Sequence, residues 1–370
     1  MRIVHVTDHY QPVLGGIETH VEALAAHQAA RGDEVTVLTS TPASADGRHS
    51  HDVGPVRVRR ARSLLDGLGT DLRAFDVIHV HVSVVAPFSA PVAAFAGRRG
   101  LPTVVTVHSL WNGLGPVPGT AAALSGLRGA PVTWTAVSRT AAQQLARRLP
   151  RGTPVQVLPN AVSVSARPRT PRTGDDGTVR LVSTMRVARR KRPLQLLDLF
   201  AGLHRSVEVP VTLTVVGDGP LRPRFERRVA RLGLQDAVTV TGRVDPADVL
   251  ARLAEADVYV APAVLESFGL AALEARCVGL PVVGHAASGM TDFVRHGTEG
   301  LLCGSDAEMV LALRELVVDR DLRRAMSEHN RTTPSPLTWS SALERHDTTY
   351  AHACATVRAR ASRLLSVGER

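Results

Sequence analysis

Lysine is nearly absent from this chain. Of its 44 cationic side chains only Lys191 is lysine, and the other 43 are arginine. GC-rich codon usage accounts for the arginines and points to a high-GC bacterial source. The one retained ammonium, a compact point charge unlike a planar guanidinium, becomes a candidate for a specific task. Cysteine is also scarce. Cys277, Cys303 and Cys354 are widely separated, which argues against a disulfide framework or a zinc site and predicts a reduced, cytosolic protein. Aromatic residues make up 4%, thin support for stacking on nucleic-acid bases. No apolar run reaches the roughly 18 residues of a membrane-spanning helix. The short apolar run after Met1 lacks the features of a signal peptide.

What remains is an ordinary globular composition: 370 residues, 44% hydrophobic and 21% charged. At roughly 100–200 residues per domain this suggests two domains. The net charge of +10 favours anionic partners, whether sugar nucleotides, nucleic acid or an acidic membrane surface. Arg222, Arg224, Arg227, Arg228 and Arg231 fall on one predicted helix, and Arg57, Arg59, Arg60 and Arg62 cluster near a strand. Such runs are ordinarily solvated faces. They also allow a peripheral contact with the inner membrane face.

Strand and helix patterns alternate along the chain, the grammar of doubly wound parallel α/β sheets. Apolar runs at 2–7, 34–38, 76–81, 103–107, 132–137 and 155–158 read as strands. Residues 17–31 and 86–98 read as helices. The Pro-, Gly- and charge-rich stretch 165–177 reads as a linker. The pattern then restarts, with strands at 179–184, 211–216, 237–241, 258–261 and 282–284. The expected architecture is two Rossmann-like domains, 1–164 and 178–336, facing across a cleft. A closing helix within 337–370 returns toward the first domain. Ligands of such sheets bind at the carboxyl ends of the strands.

Several residues at those ends carry chemistry. Gly15-Gly16 separates the first strand from its helix and could admit a phosphate, although an ordinary turn explains it equally well. Gly217-Asp218-Gly219-Pro220 lacks a third glycine and reads as a turn. Glu266 and Glu274 bracket a predicted helix start, so their carboxylates lie about two turns apart and could hold opposite ends of one ligand. Between them the amides of Phe268, Gly269 and Leu270 would point toward an anion. Two solvated glutamates, or a glycosidase pair, are the competing readings. Arg186 and Lys191 follow the first strand of the second domain and could clamp a diphosphate, or form a solvated basic loop. His108 ends a strand. His79 and His81 share a strand face without an evident third metal ligand. Asp319-Arg320-Asp321 reads as helix capping.

Together these pieces resemble the retaining family 4 glycosyltransferases of the GT-B fold. The resemblance spans nearly the whole chain, from Gly15-Gly16 through Leu158-Pro159-Asn160-Ala161-Val162 to the closing helix with Trp339 and Tyr350. Its most specific element is the E-x7-E motif from Glu266 to Glu274 with its internal Phe268-Gly269, followed by Gly279-Leu280-Pro281. The resemblance implies that Glu274 holds the nucleotide ribose, and that Glu266 with the 268–270 amides holds the donor sugar. It implies a diphosphate clamp of Arg186 and Lys191, with Gly15 and Gly16 closing on the diphosphate and His108 near the donor sugar. It further implies a nucleoside-diphosphate sugar donor, UDP ahead of GDP, and no metal or other cofactor.

The chain departs from the family pattern at several places. Met185 and Arg192 stand where glycines flank the clamp. Ala161 and Ser163 alter the P-N-G-V-D sequence. Ser288-Gly289-Met290-Thr291-Asp292 replaces G-G-x-P-E. A GT-B epimerase or phosphorylase, and an inactive basic binding protein, remain as alternative readings.

Overall fold

The computed structural model describes residues 1–13, 15–43, 52–110, 126–127, 129–162 and 176–368. Most of the expected linker, together with Ser163, lies outside the described residues. The chain divides into two units, Met1–Ala161 with Leu337–Arg370, and Val162–Pro336.

The first unit is built on an eight-stranded sheet in the order β3-β4-β2-β1-β5-β6-β7-β8. Its strands are β1 (Arg2–Thr7), β2 (Glu34–Thr39), β3 (Asp52–Val53), β4 (Val56–Arg60), β5 (Val77–Val82), β6 (Thr103–Val107), β7 (Thr133–Ala136) and β8 (Val155–Val157). All neighbours pair parallel except β3 with β4. β5 and β6 are buried along their whole length, and β1 along all but its first residue. That is why they read as continuous apolar runs rather than alternating ones.

The second unit carries a six-stranded, wholly parallel sheet, β11-β10-β9-β12-β13-β14. Its strands are β9 (Val179–Thr184), β10 (Val211–Val216), β11 (Val238–Val240), β12 (Val258–Ala261), β13 (Val282–His285) and β14 (Gly300–Cys303). The helix Pro193–Ser206 packs Leu196, Leu197, Leu199, Phe200 and Leu203 against this sheet, and Phe225 comes from the next helix, Arg222–Arg231.

In each sheet the strand order reverses beside the unit's first strand, between β1 and β5 and between β9 and β12. These are the topological switch points, where the following loops diverge and leave room for a ligand.

Some elements escape the sequence pattern. β3 has two residues, too short for a period to show, and β14 (Gly300–Cys303) opens on a glycine and offers only two consecutive aliphatic residues. The helix expected from residue 86 starts at Ser89, because Asp8 accepts hydrogen bonds from the Phe88 and Ser89 amides and fixes the entry there. The closing helix runs Trp339–Gly368 and packs on the first unit through Trp339, Tyr350 and Ala353. Among the described residues no helix is long and apolar enough to cross a membrane.

Candidate functional site

The switch point of the second sheet gathers the acidic and cationic candidates. Lys191 lies in the 3-10 turn Arg189–Lys191 after β9, and Glu266 in the loop after β12. Because those strands are neighbours, the Lys191 ammonium donates to Glu266 Oε2 at 2.5 Å. The glutamate side chain is 16% exposed and the lysine 41%. One side of the pair therefore faces solvent, where an arriving anion could meet the ammonium.

The loop bearing Glu266 is fixed by close backbone approaches. The Gly289 amide donates to the Glu266 carbonyl at 2.8 Å. A Cβ at Gly289 would stand 2.0 Å from the Ser267 carbonyl oxygen, so only glycine fits. Gly269 has φ +97°, a left-handed conformation that glycine adopts without steric cost, and it begins the helix Leu270–Cys277. Phe268 is buried against Phe293, their ring centroids 5.4 Å apart. With that ring anchored inward, the amides of Phe268, Gly269 and Leu270 find no acceptor among the described residues. A helix start with open donors and its partial positive charge suits an anion or an array of hydroxyls.

Glu274 lies on the same helix, half-buried, and makes no ion pair among the described residues. Burial pushes its carboxyl up to about 7. It is thus not one of two solvated glutamates. It is a desolvated carboxyl beside the buried Tyr259, whose hydroxyl donates to the Thr184 carbonyl.

Arg186 is exposed and joins no ion pair with a described carboxylate. Its loop is braced by the Gly217-Asp218-Gly219 turn. The Val187 amide donates to the Asp218 carbonyl at 2.9 Å, and a Cβ at Gly217 would meet the Met185 carbonyl oxygen at 2.1 Å. The turn read as bland thus supports the cationic loop. Arg192 takes φ +56°, the one left-handed non-glycine among the described residues. Its guanidinium grips Asp306 at 2.9 and 2.7 Å and donates to the Pro262 carbonyl at 3.0 Å. These three bonds offset the local backbone strain.

Other basic side chains are committed locally. Arg222 pairs with Asp218 and Glu226, Arg228 with Asp198, and Arg60 donates to the carbonyls of Gln11 and Thr41. Asp319 caps its helix by accepting from the Leu322 amide at 2.8 Å.

In the first unit Gly15 precedes the helix Gly16–Ala30. The Glu18 carboxylate folds over that helix start, where a Cβ at Gly15 would lie 2.5 Å from Oε2. An incoming phosphate there would meet a resident negative charge, a feature the Gly-Gly signal hides. Asp8 likewise fills the start of the helix Ser89–Arg98 with its own carboxylate.

His108 is 6% exposed and bonds His81, with 3.0 Å between His108 Nε2 and His81 Nδ1. The structure also supplies the third partner the sequence lacked for His79 and His81. β1 pairs with β5 in the register that sets His5 beside His79, and the three rings offer nitrogens within 4.8 Å of one another. Strand register cannot be read from spacing along the chain. His5 Nδ1 already contacts His81 Nε2 at 3.0 Å, and His79 bonds Tyr350 and Thr106 at 2.8 and 2.7 Å. His20 and His27 stack on Trp339 of the closing helix.

Comparison with known proteins gives the family and the fold. Residues 171–333 match the model for glycosyl transferases group 1, and residues 14–166 that for glycosyltransferase family 4. The phosphatidyl-myo-inositol mannosyltransferase of Mycobacterium leprae is 30% identical over 87% of this chain and 89% of its own. The glycogen synthase of Mycobacterium tuberculosis is 28% identical over 92% of each. Among solved structures, sucrose-phosphate synthase from Thermosynechococcus elongatus superposes with a TM-score of 0.77 at 19% identity, covering 96% of this chain and 99% of that one. Anabaena HepE, solved with UDP and glucose, superposes with a TM-score of 0.78 at 18% identity, covering 95% and 99%. With its two Rossmann-like parallel sheets and both halves matched, the chain belongs to the family 4 glycosyltransferases of GT-B type.

Proposed function

We propose that this glycosyltransferase moves a hexose from a nucleoside-diphosphate sugar, UDP ahead of GDP, to an acceptor hydroxyl with retention of anomeric configuration and without a metal. The observation that carries the reading is the Lys191–Glu266 pair at the second switch point, set beside a helix start with open amides. Cleavage of the bond between the anomeric carbon and phosphate builds negative charge on the departing diphosphate. Lys191, Arg186 and the 268–270 amides are fixed positive poles for that charge. Losing one such donor typically costs about 10²–10³ in rate. Glu266 accepts from hydroxyls of the sugar and Glu274 from the ribose. The family resemblance assigns His108 to the donor sugar and Gly15 and Gly16 to the diphosphate, a role that requires the Glu18 carboxylate to swing off their helix start.

A thermal-shift panel of nucleoside diphosphates and sugar nucleotides, run with and without EDTA, tests this. A ligand that binds only the folded state raises its melting temperature, by about 2.7 kcal/mol of stability at a hundred times its dissociation constant. The expected result is a UDP or UDP-sugar response that survives EDTA and disappears in Lys191→Met. A flat panel would sink the reading. Product NMR at the anomeric proton checks retention.

A further inference from the structure

We propose that a single one-directional chain of buried hydrogen bonds, running from the Val105 carbonyl to His108, fixes His108 as the neutral imidazole with its proton on Nε2. His81, His5, Gln28 and Tyr350 act in it as positioning residues. The proposal deepens the glycosyltransfer reading above, because His108 is the histidine assigned to the donor sugar.

The direction follows link by link from a group whose role is not in doubt. A backbone carbonyl only accepts, so the Thr135 hydroxyl spends its one proton on the Val105 oxygen, at 3.2 Å. With that proton assigned, Thr135 Oγ1 accepts from Thr106, 2.6 Å away, the direction that agrees with the Gln28 amide nitrogen donating to Tyr350 further along. With its proton spent, Thr106 accepts from His79 Nε2–H at 2.7 Å. A neutral His79 carries no second proton, so Nδ1 accepts from the Tyr350 hydroxyl at 2.8 Å. Tyr350 in turn accepts from the Gln28 amide nitrogen at 3.1 Å, which orients the amide and turns Gln28 Oε1 toward His5. His5 therefore donates from Nε2 to that oxygen at 2.7 Å. His5 Nδ1 accepts from His81 Nε2–H at 3.0 Å, and His81 Nδ1 accepts from His108 Nε2–H at 3.0 Å.

Burial keeps every ring uncharged. His5, His79 and His81 are each at most 1% exposed, and charging any of them would strand a cation among neutral partners. The consequence at the end of the chain is chemical. With its proton on Nε2, His108 carries its lone pair on Nδ1, so that nitrogen can act only as a hydrogen-bond acceptor and never as a donor. Hydrogen-bond partners that fix the tautomer of metal-bound histidines typically affect activity by about 10–100-fold, and an effect of that order is expected here.

Two arms test the proposal. In the first, imidazole nitrogen NMR on protein labelled at histidine reads the tautomer directly. His108, His81, His5 and His79 are each expected to be neutral and protonated on Nε2 at pH 7. A proton on His108 Nδ1, an imidazolium there, or zinc retained by the His5–His79–His81 cluster would overturn the proposal. This arm decides even if no sugar nucleotide binds, which would instead sink the glycosyltransfer reading.

In the second arm, His81→Leu removes the acceptor, whereas His81→Asn puts an oxygen where Nδ1 stood. The leucine variant is expected to show mixed His108 tautomers and a kcat roughly 10–100-fold lower, with little change in KM. The asparagine variant should recover both. Unchanged tautomer and turnover in His81→Leu would overturn the proposal. The parent spectrum still decides if that variant fails to fold.

Discussion

Glu274 shows how one residue's surroundings set its chemistry. Its carboxyl is raised to about 7 by desolvation, with no ion-pair partner among the described residues. A raised value means the folded protein holds a proton that the unfolded chain has already released. The fold therefore loses stability as pH climbs from the ordinary carboxylate range, about 4.3, toward 7. Glu274→Gln removes that loss. The unliganded variant should melt a few degrees above the parent at pH 8, the gap closing by pH 5. UDP binding should move the other way. Ionised Glu274 accepts from ribose hydroxyls, so affinity in the parent should rise as pH passes 7. In the glutamine variant it should be flat and about tenfold weaker at pH 8, the worth of one charge-assisted hydrogen bond. Calorimetric titration across pH reads both, and a pH-independent parent affinity would remove Glu274 from the ribose role. The sequence motif named the two glutamates. It could not reveal that one is paired with Lys191 while the other has no ion-pair partner among the described residues, because that depends on which strands neighbour each other.

At the scale of elements, the loops after β9 and β12 are held by glycines that no helix or strand pattern announces. Gly289 is the sharpest case, since a methyl there would fall 2.0 Å from the Ser267 carbonyl oxygen. Gly289→Ala must push the Glu266 loop away. It should lower both the melting temperature and the diphosphate response. Gly297 is the control: φ is +80° but nothing lies within 4 Å of a Cβ, so alanine there should cost about 1 kcal/mol of backbone strain and leave binding intact. Equal effects of the two substitutions on binding would show that the approach at Gly289 does not position Glu266. Most strands, down to the three-residue β8 and β11, and the helix with buried leucines were legible as apolar runs. β3, β14 and the Asp8 cap were not, being too short or too distant in sequence. Arg192 escaped because its partners, Pro262 and Asp306, are distant in sequence, and Glu18 because the rotamer that folds it over Gly15 leaves no trace in the sequence.

For the whole molecule, the decisive asymmetry is where the buried histidines sit. His5, His20, His79, His81, His108 and His346 lie within the first unit, and burial holds each well below its ordinary value, with His5 and His346 at about 4 and His108 at about 3, whereas among the described residues the second unit buries His285 alone, also lowered by burial. The unfolded chain takes up these protons below about pH 6.5 and the folded one refuses them, so stability present above that value drains away as pH falls toward 4. Each histidine contributes about 1.4 kcal/mol per pH unit, and three alone account for about 8 kcal/mol over two units, comparable to a typical net stability of about 5–15. Scanning calorimetry should show the first unit's transition collapsing between pH 6.5 and 4.5 while the second, with Glu274 pulling in the opposite sense, declines less. A parallel fall of both would refute this. The chain's path has one more consequence. The first unit is completed by residues after Leu337, whereas the second is one unbroken stretch. During synthesis, then, the half begun first waits for the half begun second. Until Tyr350 has left the ribosome, the inner polar groups of His79 and Gln28 lack their hydroxyl partner.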